Sequence, residues 1–192
     1  MQARLYQIDT ALITLRTVVR RFRENEGEVF YKLVADNTSR INDYFPQTME
    51  AVTDKDAGEG YVRQKLADWL TQQEYCFGVW ESKQAKLVGF VRLFNITWGV
   101  PAGEIAFFID KDFEGKGIMT EVVQAVMGFA FEELEIEKLS LRTATDNYAT
   151  QRLARKCGFR REGDLRSAFR RPSGDLIDVM LFGYTKTEFE KV

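Results

Sequence analysis

Apolar and polar residues alternate along several short stretches of this chain, and a period of two is typical of half-buried β-strands. The first such stretch is ALITLRTV, residues 11–18. Three more follow one another at residues 75–81, 86–96 and 103–109, with only the turn sequences SKQAK and TWGVPAG between them. We therefore predict a strand near the beginning of the chain and a three-stranded antiparallel meander in its middle.

Other segments of the first half repeat with the 3.6-residue period of an amphipathic helix. Residues 24–37 predict a helix with one apolar stripe, formed by Val29, Phe30, Leu33 and Val34. SRINDYFP indicates a short helix or turn that Pro46 ends. A longer helix is predicted to begin at Asp54, because residues 61, 62, 65, 66 and 69 recur at helical spacing.

The second half of the chain alternates helices and strands. A helix follows FEGKGIMTE and runs to about residue 134, and KLSLRTAT, residues 138–145, is a predicted strand. A further helix begins near residue 148 and stops at KCGF, where Gly158 suits the position just past a helix C-terminus. Two strands, residues 161–168 and 176–184, end the pattern. This order indicates a single α/β (α+β) domain over residues 1–192.

Composition narrows the chemistry. The chain has no histidine, which removes the commonest metal ligand and the Ser-His and Cys-His nucleophile pairs. Cys76 and Cys157 lie far apart without zinc-type spacing, so we expect buried reduced thiols and no metal. A hydrophobic content of 45% with 15 Phe supports a packed core. The formal net charge of −2 gives no overall attraction to DNA or to a membrane.

Two features of the sequence bear on the location of the protein. The first ten residues, MQARLYQIDT, carry charge and polarity where a signal peptide needs an apolar stretch. The sequence contains no run of about 18 apolar residues that would span a bilayer. We therefore expect a cytoplasmic protein.

The stretch FEGKGIMTE sets Gly115 and Gly117 around Lys116 immediately before a predicted helix. Glycine costs about 1 kcal/mol relative to alanine inside a helix, so two at a helix entrance need a reason. Free N–H groups of a first helical turn bind anions, and glycine lets a phosphate approach the backbone closely. The letters fit neither a P-loop nor a dinucleotide fingerprint, which needs Gly or Ala where Thr120 stands. Taken alone, the stretch is equally compatible with a structural tight turn and with a phosphate site.

The sequence segments on either side of FEGKGIMTE distinguish between these two interpretations. GEIAFFID precedes EGKGIM, and DNYAT and KCGF follow it. Together these segments resemble the GNAT superfamily of N-acetyltransferases, in particular its ribosomal-protein N-terminal acetyltransferase (RimJ/RimL-like) branch. The resemblance covers residues 15–182. It implies one GNAT-type domain with a central mixed, mostly antiparallel, twisted sheet of about seven strands flanked by helices.

The family carries a Q/R-x-x-G-x-G/A turn whose N–H groups hold the pyrophosphate of acetyl-CoA. Gly117 matches its central glycine, whereas Glu114 and Met119 depart from its first and last positions. The resemblance implies acetyl-CoA as co-substrate and no metal. The coenzyme A-binding residues that it implies are Phe107, Phe108, Ile109, Gly115, Lys116, Gly117, Ile118, Met119, Thr120, Asn147 and Arg152. Asn147 is equally suited to a plain helix N-cap.

The implied reaction moves an acetyl group from a thioester to a neutral amine. Glu104 is the candidate base, acting through water, and the alternative is a solvated strand-end carboxylate. Thr150 matches the serine of the branch, placed near the thioester sulfur, and is the candidate donor to the departing thiolate. Its alternative is an ordinary helix-surface threonine. Many members use a tyrosine four residues later, where Ala154 stands here, so Thr150, an ordered water or, less favoured, Tyr148 must serve.

The weak bases available bear on the acceptor. Leaving an α-amino group neutral at pH 7 costs about 1 kcal/mol, against about 4.6 kcal/mol for a lysine. We therefore expect the α-amine of a protein or peptide N-terminus, with a ribosomal protein as one candidate. Two alternatives stay open: acetyl transfer to a small amine (polyamine, amino sugar or antibiotic), and a non-catalytic acyl-CoA-binding regulatory module. The sequence also leaves a homodimer open.

Two regions bear on partners. Five arginines crowd the final hairpin: Arg160, Arg161, Arg166, Arg170 and Arg171. A solvated basic face is the simpler interpretation, and a docking surface for an acidic partner or ribosomal RNA is the sharper one. Some members of the branch carry a carboxylate shortly before the GD turn, where this chain has arginines, so their substrates do not transfer directly. DYFPQTM, residues 43–49, occupies the region that shapes the acceptor groove in relatives, with a packed loop as the alternative.

Overall fold

The computed structural model describes residues 11–191. The segment MQARLYQIDT, on which the leader prediction rests, lies outside the described residues, as does residue 192. One sheet forms the centre of the fold. Its strands are β1 (Ala11–Ile13), β2 (Thr17–Arg21), β3 (Tyr75–Glu81), β4 (Lys86–Thr97), β5 (Ala102–Ile109), β6 (Lys138–Ala144), β7 (Arg160–Arg170) and β8 (Leu176–Thr185).

The sheet has the order β1-β2-β3-β4-β5-β6-β8-β7. Strands β5 and β6 are parallel, and the other neighbouring pairs are antiparallel. The predicted α/β class with a mixed, mostly antiparallel sheet is therefore confirmed. The sheet has eight strands rather than about seven.

The extra strand arises at the beginning of the described chain. The prediction of one strand over residues 11–18 is wrong, because a tight turn divides this stretch into β1 and β2. The N–H of Thr14 donates to the carbonyl oxygen of Thr17 at 2.9 Å, and the N–H of Thr17 donates to the Thr14 hydroxyl at 3.0 Å. Short hydroxyl side chains that bond nearby backbone compete with an extended ladder. Strand β2 then continues to Arg21.

The helices are α1 (Gly27–Asp36), α2 (Thr38–Ile41), α3 (Pro46–Ala51), α4 (Lys55–Leu70), α5 (Ile118–Gly128), α6 (Tyr148–Lys156) and α7 (Lys186–Phe189). A 3₁₀ turn at Lys111–Phe113 precedes α5. A π-helical turn at Phe129–Glu133 continues α5, in agreement with the predicted helix end near residue 134. Within residues 11–191, none of the helices has the length and apolar content needed to cross a membrane.

Helix boundaries follow local chemistry. Asp54 caps α4 as predicted, since its carboxylate accepts from the N–H groups of Asp56 and Ala57 at 2.9 and 2.8 Å. Gly158 follows the C-cap of α6 with φ of +91°, the left-handed conformation that favours glycine there. Pro46 begins α3 instead of ending a helix, because the first helical position needs no N–H donor. Of the four residues in the predicted apolar stripe of α1, Val29 is not buried, because it is 42% exposed.

The sheet buries side chains on both faces. One core cluster packs α5 against residues such as Val91 and Leu93, and the other packs α1 and α4 against Phe90 and Phe108. Neighbouring residues of β4 therefore enter opposite clusters, because consecutive strand side chains point to opposite faces. The central strands are covered on both sides, which fixes their register.

The sheet opens between its two parallel strands. Strands β5 and β6 pair at Ala102↔Lys138, Gly103↔Leu139 and Glu104↔Ser140 and then separate. On its other side β5 stays paired with β4 as far as Ile109. The edge of β5 beyond Glu104 therefore faces an opening in the sheet, and this opening contains the candidate site.

Candidate active site

A cleft of about 1070 Å³ occupies the opening between β5 and β6. The start of α5, the start of α6, the segment from α2 to α3 and the end of β7 complete its walls. Of the thirteen site residues predicted from sequence, all except Lys116 line this cleft. The fold therefore brings into one place residues that lie far apart in the sequence.

The glycines of EGKGIM have left-handed backbones. Gly115 has φ of +71° and Gly117 has φ of +78°, and Gly117 is the N-cap of α5. A side chain costs about 1–2 kcal/mol in this conformation, so the backbone explains why both residues are glycine. A Cβ at Gly115 would meet no other atom within 4 Å. The turn is thus open to an approaching ligand.

This turn also leaves N–H groups free. In the described part of the chain, the first N–H of α5 that donates to the backbone is that of Glu121, to the carbonyl oxygen of Gly117 at 3.4 Å. The preceding N–H groups, from Ile118 to Thr120, therefore have no backbone acceptor. Free N–H groups and the positive end of the helix dipole together favour an anion at this position.

Ion pairs brace the turn from outside. Arg16 donates from Nη1 to the carbonyl oxygen of Lys116 at 2.7 Å and from Nη2 to Oε1 of Glu121 at 2.7 Å. Glu114, which departs from the family pattern, pairs with Arg40. These contacts hold the two ends of the turn in place and leave its interior N–H groups unused.

Lys116 differs from its neighbours. Its Nζ donates to the carbonyl oxygen of Asp112 at 2.7 Å and lies 5.3 Å from the ring centroid of Phe113. The side chain therefore packs along the outside of the turn, away from the cleft. A contact between this ammonium group and a ligand in the cleft would require a different rotamer.

The open edge of β5 forms one long wall of the cleft. Phe107 and Ile109 pack toward the α5 core cluster, and Phe108 is buried in the cluster on the opposite face. Each backbone N–H and C=O along this edge needs a hydrogen-bond partner when it is covered. An extended molecule lying in the opening could supply such partners.

Glu104 stands at the point where β5 and β6 separate. Its carboxylate accepts from Arg142 Nε at 2.9 Å on Oε1 and from Arg142 Nη2 at 2.6 Å on Oε2, and Asn95 Nδ2 lies 3.3 Å from Oε2. A carboxylate has about four lone-pair sites, so one remains, on Oε1. The hydrogen bonds to Glu104 raise the pKa of Arg142. The side chain of Glu104 is 13% exposed, so it is not a freely solvated strand end.

The start of α6 lies on the other side of the opening. Asn147 is the N-cap, and its Oδ1 accepts from the N–H of Thr150 at 3.1 Å. The simpler interpretation of Asn147 is thus correct, and the residue also lines the cleft. Thr150 is half-buried in the cleft wall, and Arg152 lies beside it on the lining. Tyr148 is 65% exposed and lies outside the lining, so it does not replace the tyrosine of other family members.

The residues from Asp43 to Thr48 line the cleft on the side of the sheet that carries Phe108. Phe45 packs edge-on against Phe108 with ring centroids 5.2 Å apart. The predicted aromatic segment is therefore both a packed loop and a wall of the cleft. Phe169 and Arg170 of β7 also line the cleft.

Four of the five arginines of the final hairpin have partners within the chain. Arg160 pairs with Glu188, Arg161 with Asp164, and Arg171 with Asp146. Arg170 donates from Nη1 to the carbonyl oxygen of Gly174 at 2.7 Å. These contacts favour the solvated and internally neutralised face over a docking surface.

The cysteines match the prediction. Cys76 and Cys157 are buried free thiols, and burial raises the pKa of Cys157 to about 12. Neither thiol lines the cleft. Among residues 11–191, no three His, Cys, Asp or Glu side chains are grouped to hold a metal ion.

Two arginines on the sheet strands, Arg92 on β4 and Arg142 on β6, line the cleft but were not predicted from the sequence. Both stand at positions of their strands that a period-two pattern assigns to the side away from the α5 core, which sequence alone interprets as solvent. A charged residue within a predicted central strand is the one signal that could have marked them. Their partners come from other elements, which no local pattern shows.

The comparisons with known proteins agree with this geometry. Residues 16–160 match the Acetyltransferase (GNAT) domain family, so the chain belongs to that family and is an N-acetyltransferase. The probable N-acetyltransferase YjcK of Bacillus subtilis (strain 168) is 34% identical over 65% of this chain and 72% of its own length. The putative ribosomal N-acetyltransferase YdaF of the same strain is 24% identical over 94% of this chain and 97% of its own length.

Solved structures share the fold. The ribosomal alpha-N-protein acetyltransferase RimL, in complex with coenzyme A, superposes with a TM-score of 0.83 at 21% identity. The match covers 92% of this chain and 98% of RimL. The expected GNAT-type domain is thus confirmed, with one sheet of eight strands flanked by helices.

Proposed function

We propose that this N-acetyltransferase uses acetyl-CoA to acetylate the α-amine of a protein or peptide N-terminus. The observation that carries the proposal is the meeting, in one cleft, of an anion-binding helix start and an unpaired strand edge. The names of two relatives, a ribosomal N-acetyltransferase and a ribosomal alpha-N-protein acetyltransferase, support the same acceptor class. We also propose a cytoplasmic location, which suits that acceptor.

The cleft offers suitable groups for both the pyrophosphate and the extended arm of coenzyme A. A pyrophosphate needs several N–H donors in a small space, and the turn from Gly115 to Thr120 supplies them without side chains in the way. An extended arm with amide groups needs a strand edge, and β5 supplies one beyond Glu104. Arg152, on the cleft side of α6, adds a cation near the same wall.

Acetyl-CoA supplies an acetyl thioester when it is bound. Glu104 then takes a proton from the acceptor amine through a water molecule, using the lone pair of Oε1 that Arg142 and Asn95 leave free. The Thr150 hydroxyl donates a hydrogen bond to the departing thiolate. Neither role needs histidine, in keeping with the composition of the chain.

The acceptor class follows from the strength of this base. A carboxylate that acts through water removes a proton readily from an amine with a pKa of about 8, and far less readily from a lysine with a pKa of about 10.4. The aromatic end of the cleft, with Phe45 and Phe108 in contact, offers a wall suited to a peptide. A ribosomal protein is the candidate that the relatives suggest.

The experiment that tests this proposal measures thiol release from acetyl-CoA in the presence of different amines. The panel contains short peptides with free N-termini, the same peptides blocked at the N-terminus, spermidine, an amino sugar and an aminoglycoside. Release with the free peptides alone supports the proposal. Release with a small amine instead assigns the enzyme to that substrate, and coenzyme A binding without release supports a regulatory module.

A further inference from the structure

Arg92 is a cleft residue to which the proposed chemistry gives no role. It lies on β4 opposite Ala106, and its guanidinium carbon lies 4.2 Å from the ring centroid of Phe94. The side chain is 16% exposed and lines the cleft. Burial of an arginine to this extent requires a charged partner.

That partner is Glu74. Arg92 Nε lies 2.6 Å from Glu74 Oε1, an ion pair whose angle falls outside hydrogen-bond geometry, and the Cys76 thiol donates to the same oxygen at 3.1 Å. On the other oxygen, Lys65 Nζ donates to Oε2 at 2.8 Å, and the same ammonium also binds Asp68 at 2.8 Å. Two cations and two carboxylates form this group, so its internal charge is balanced.

The group is rigid and well shielded. Glu74 and Asp68 are 7% and 9% exposed. Burial acts to lower the pKa of Lys65, but the hydrogen bonds to Asp68 and Glu74 outweigh it and raise that pKa. The ammonium therefore stays charged and keeps Glu74 fixed behind Arg92. Helix α4 and strands β3 and β4 all contribute, so the orientation of Arg92 is set by the fold.

The far end of the Arg92 guanidinium is free. Within residues 11–191 neither Nη atom of Arg92 donates a hydrogen bond, and neither belongs to the buried side-chain atoms that lack a partner. The fork of the guanidinium is thus accessible to solvent, and Arg92 is part of the cleft lining. A planar fork of N–H donors held from behind matches a carboxylate with two parallel hydrogen bonds.

The position of Arg92 places this fork near Glu104. Phe94 is opposite Glu104, and Arg92 is opposite Ala106, so Arg92 and Glu104 project from the same face of the sheet, two residues out of register. Arg142 lies on β6 across the opening, and its Nε and Nη2 donate hydrogen bonds to Glu104. Ala106, between the two arginines, has a small side chain that leaves space there.

We propose that Arg92 is a specificity-determining residue that binds a carboxylate of the acceptor, so that the enzyme prefers N-termini with an acidic residue close to the amine. This inference rests on the proposed function and narrows its substrate class. Glu104 remains directed at the amine, while Arg92, anchored on Glu74, holds the acidic side chain of the acceptor. The two charges of the acceptor thus meet opposite charges of the cleft.

The charge of the whole cleft agrees with this assignment. Six cationic side chains line it, against three carboxylates. Three of the cations, Arg92, Arg142 and Arg170, come from the sheet strands, where Glu104 is the matching carboxylate and is already held by Arg142. A polyamine would bring further positive charge to this wall. An acidic peptide would bring the opposite sign.

The test begins with the wild-type protein and three matched peptides that have Ala at the first position and Asp, Asn or Lys at the second. These peptides differ in charge at one side chain and share the same α-amine. We expect KM for the Asp peptide to be lower than for the Asn peptide by about tenfold or more, as charge-assisted hydrogen bonds to a carboxylate imply. The Lys peptide should have the highest KM.

The variants Arg92→Gln and Arg92→Lys then assign the preference to this side chain. Arg92→Gln should remove the difference between Asp and Asn peptides by raising KM for the Asp peptide alone, and Arg92→Lys should retain part of it because a single ammonium lacks the fork. Arg63→Gln, which removes an exposed arginine of α4 far from the lining, is the control and should keep the full preference. If the role of Arg92 were purely structural, Arg92→Gln would lower the stability of the protein or change kcat equally for all three peptides.

The outcomes separate the two proposals. Transfer to the Asp and Asn peptides with equal KM in wild type overturns the role of Arg92 and leaves the proposed function standing. A preference for Asp that survives in Arg92→Gln also overturns it. Absence of transfer to any of the free peptides overturns the proposed function, and the inference about Arg92 with it.

Discussion

Replacement of Gly117 by alanine tests the proposed binding of phosphate at the glycine turn, and the chain provides a matched control in Gly174. Both glycines have left-handed backbones, with φ of +78° and +93°. A Cβ at Gly174 would meet no atom within 4 Å, and one at Gly117 would come no closer than 3.5 Å, to Arg16 Nη2. The two substitutions therefore impose the same backbone penalty without a clash, but Gly174 lies outside the cleft.

The magnitudes follow from these angles. A left-handed alanine costs about 1–2 kcal/mol. In a protein of this size 1 kcal/mol shifts Tm by about 2–4 °C, so each variant without ligand should melt about 2–8 °C lower than wild type. Coenzyme A at 100 times its Kd stabilises a fold by about 2.7 kcal/mol, which corresponds to about 5–11 °C. Wild type and Gly174→Ala should show this full gain.

Gly117→Ala should lose most of the gain. The added Cβ stands on the backbone that the pyrophosphate must approach, and relief of the strained φ would turn the N–H groups of Ile118 and Met119 away from the cleft. The assay is thermal unfolding with and without coenzyme A for the three proteins. An equal coenzyme A shift in Gly117→Ala and Gly174→Ala would refute the reasoning, because it would place the phosphates elsewhere.

Three further predictions address catalysis and stability. Thr150→Ser should keep kcat, whereas Thr150→Val should lower kcat by about 10²-fold with unchanged affinity for coenzyme A. Equal turnover of the two variants would show that the hydroxyl is not the acid. Glu104→Gln should slow transfer most at low pH, where neutral amine is scarce, and an unchanged pH–rate profile would leave Glu104 a structural role. Hydrogen bonds from the backbone of Asn25 and Gly27 lower the pKa of Glu59, so its contribution to stability should be present above the unfolded pKa of about 4.3 and disappear as pH falls through the folded value. The difference in free energy of unfolding between wild type and Glu59→Gln should therefore shrink in acid, and a difference independent of pH would contradict this.

Local chemistry explains what the sequence could predict. The meander, the turn at Gly117 and the caps at Asp54 and Gly158 depend on residues within a few positions of one another, and their patterns survive in the fold. The division of the first strand escaped prediction because Thr14 and Thr17 close a turn inside an apparently regular alternation.

The charged interior of the cleft depends on distant parts of the chain. Arg92 is fixed by Glu74 and through it by Lys65 of α4. Both oxygens of Glu104 accept from Arg142, which lies on a strand that follows β5 by a crossover. No periodic pattern encodes these contacts, because they arise from strand order and helix packing. The glycine turn was therefore predictable from a motif, and the partners of Arg92 and Glu104 were not.

The position of the transferred acetyl group distinguishes an α-amine acceptor from a lysine acceptor. A peptide with a free N-terminus and one internal lysine is incubated with the protein and acetyl-CoA, and fragmentation mass spectrometry identifies the modified nitrogen. We expect acetylation of the α-amine, because the proposed base is a carboxylate acting through water. Acetylation of the lysine alone, or none while coenzyme A still raises Tm, would contradict it.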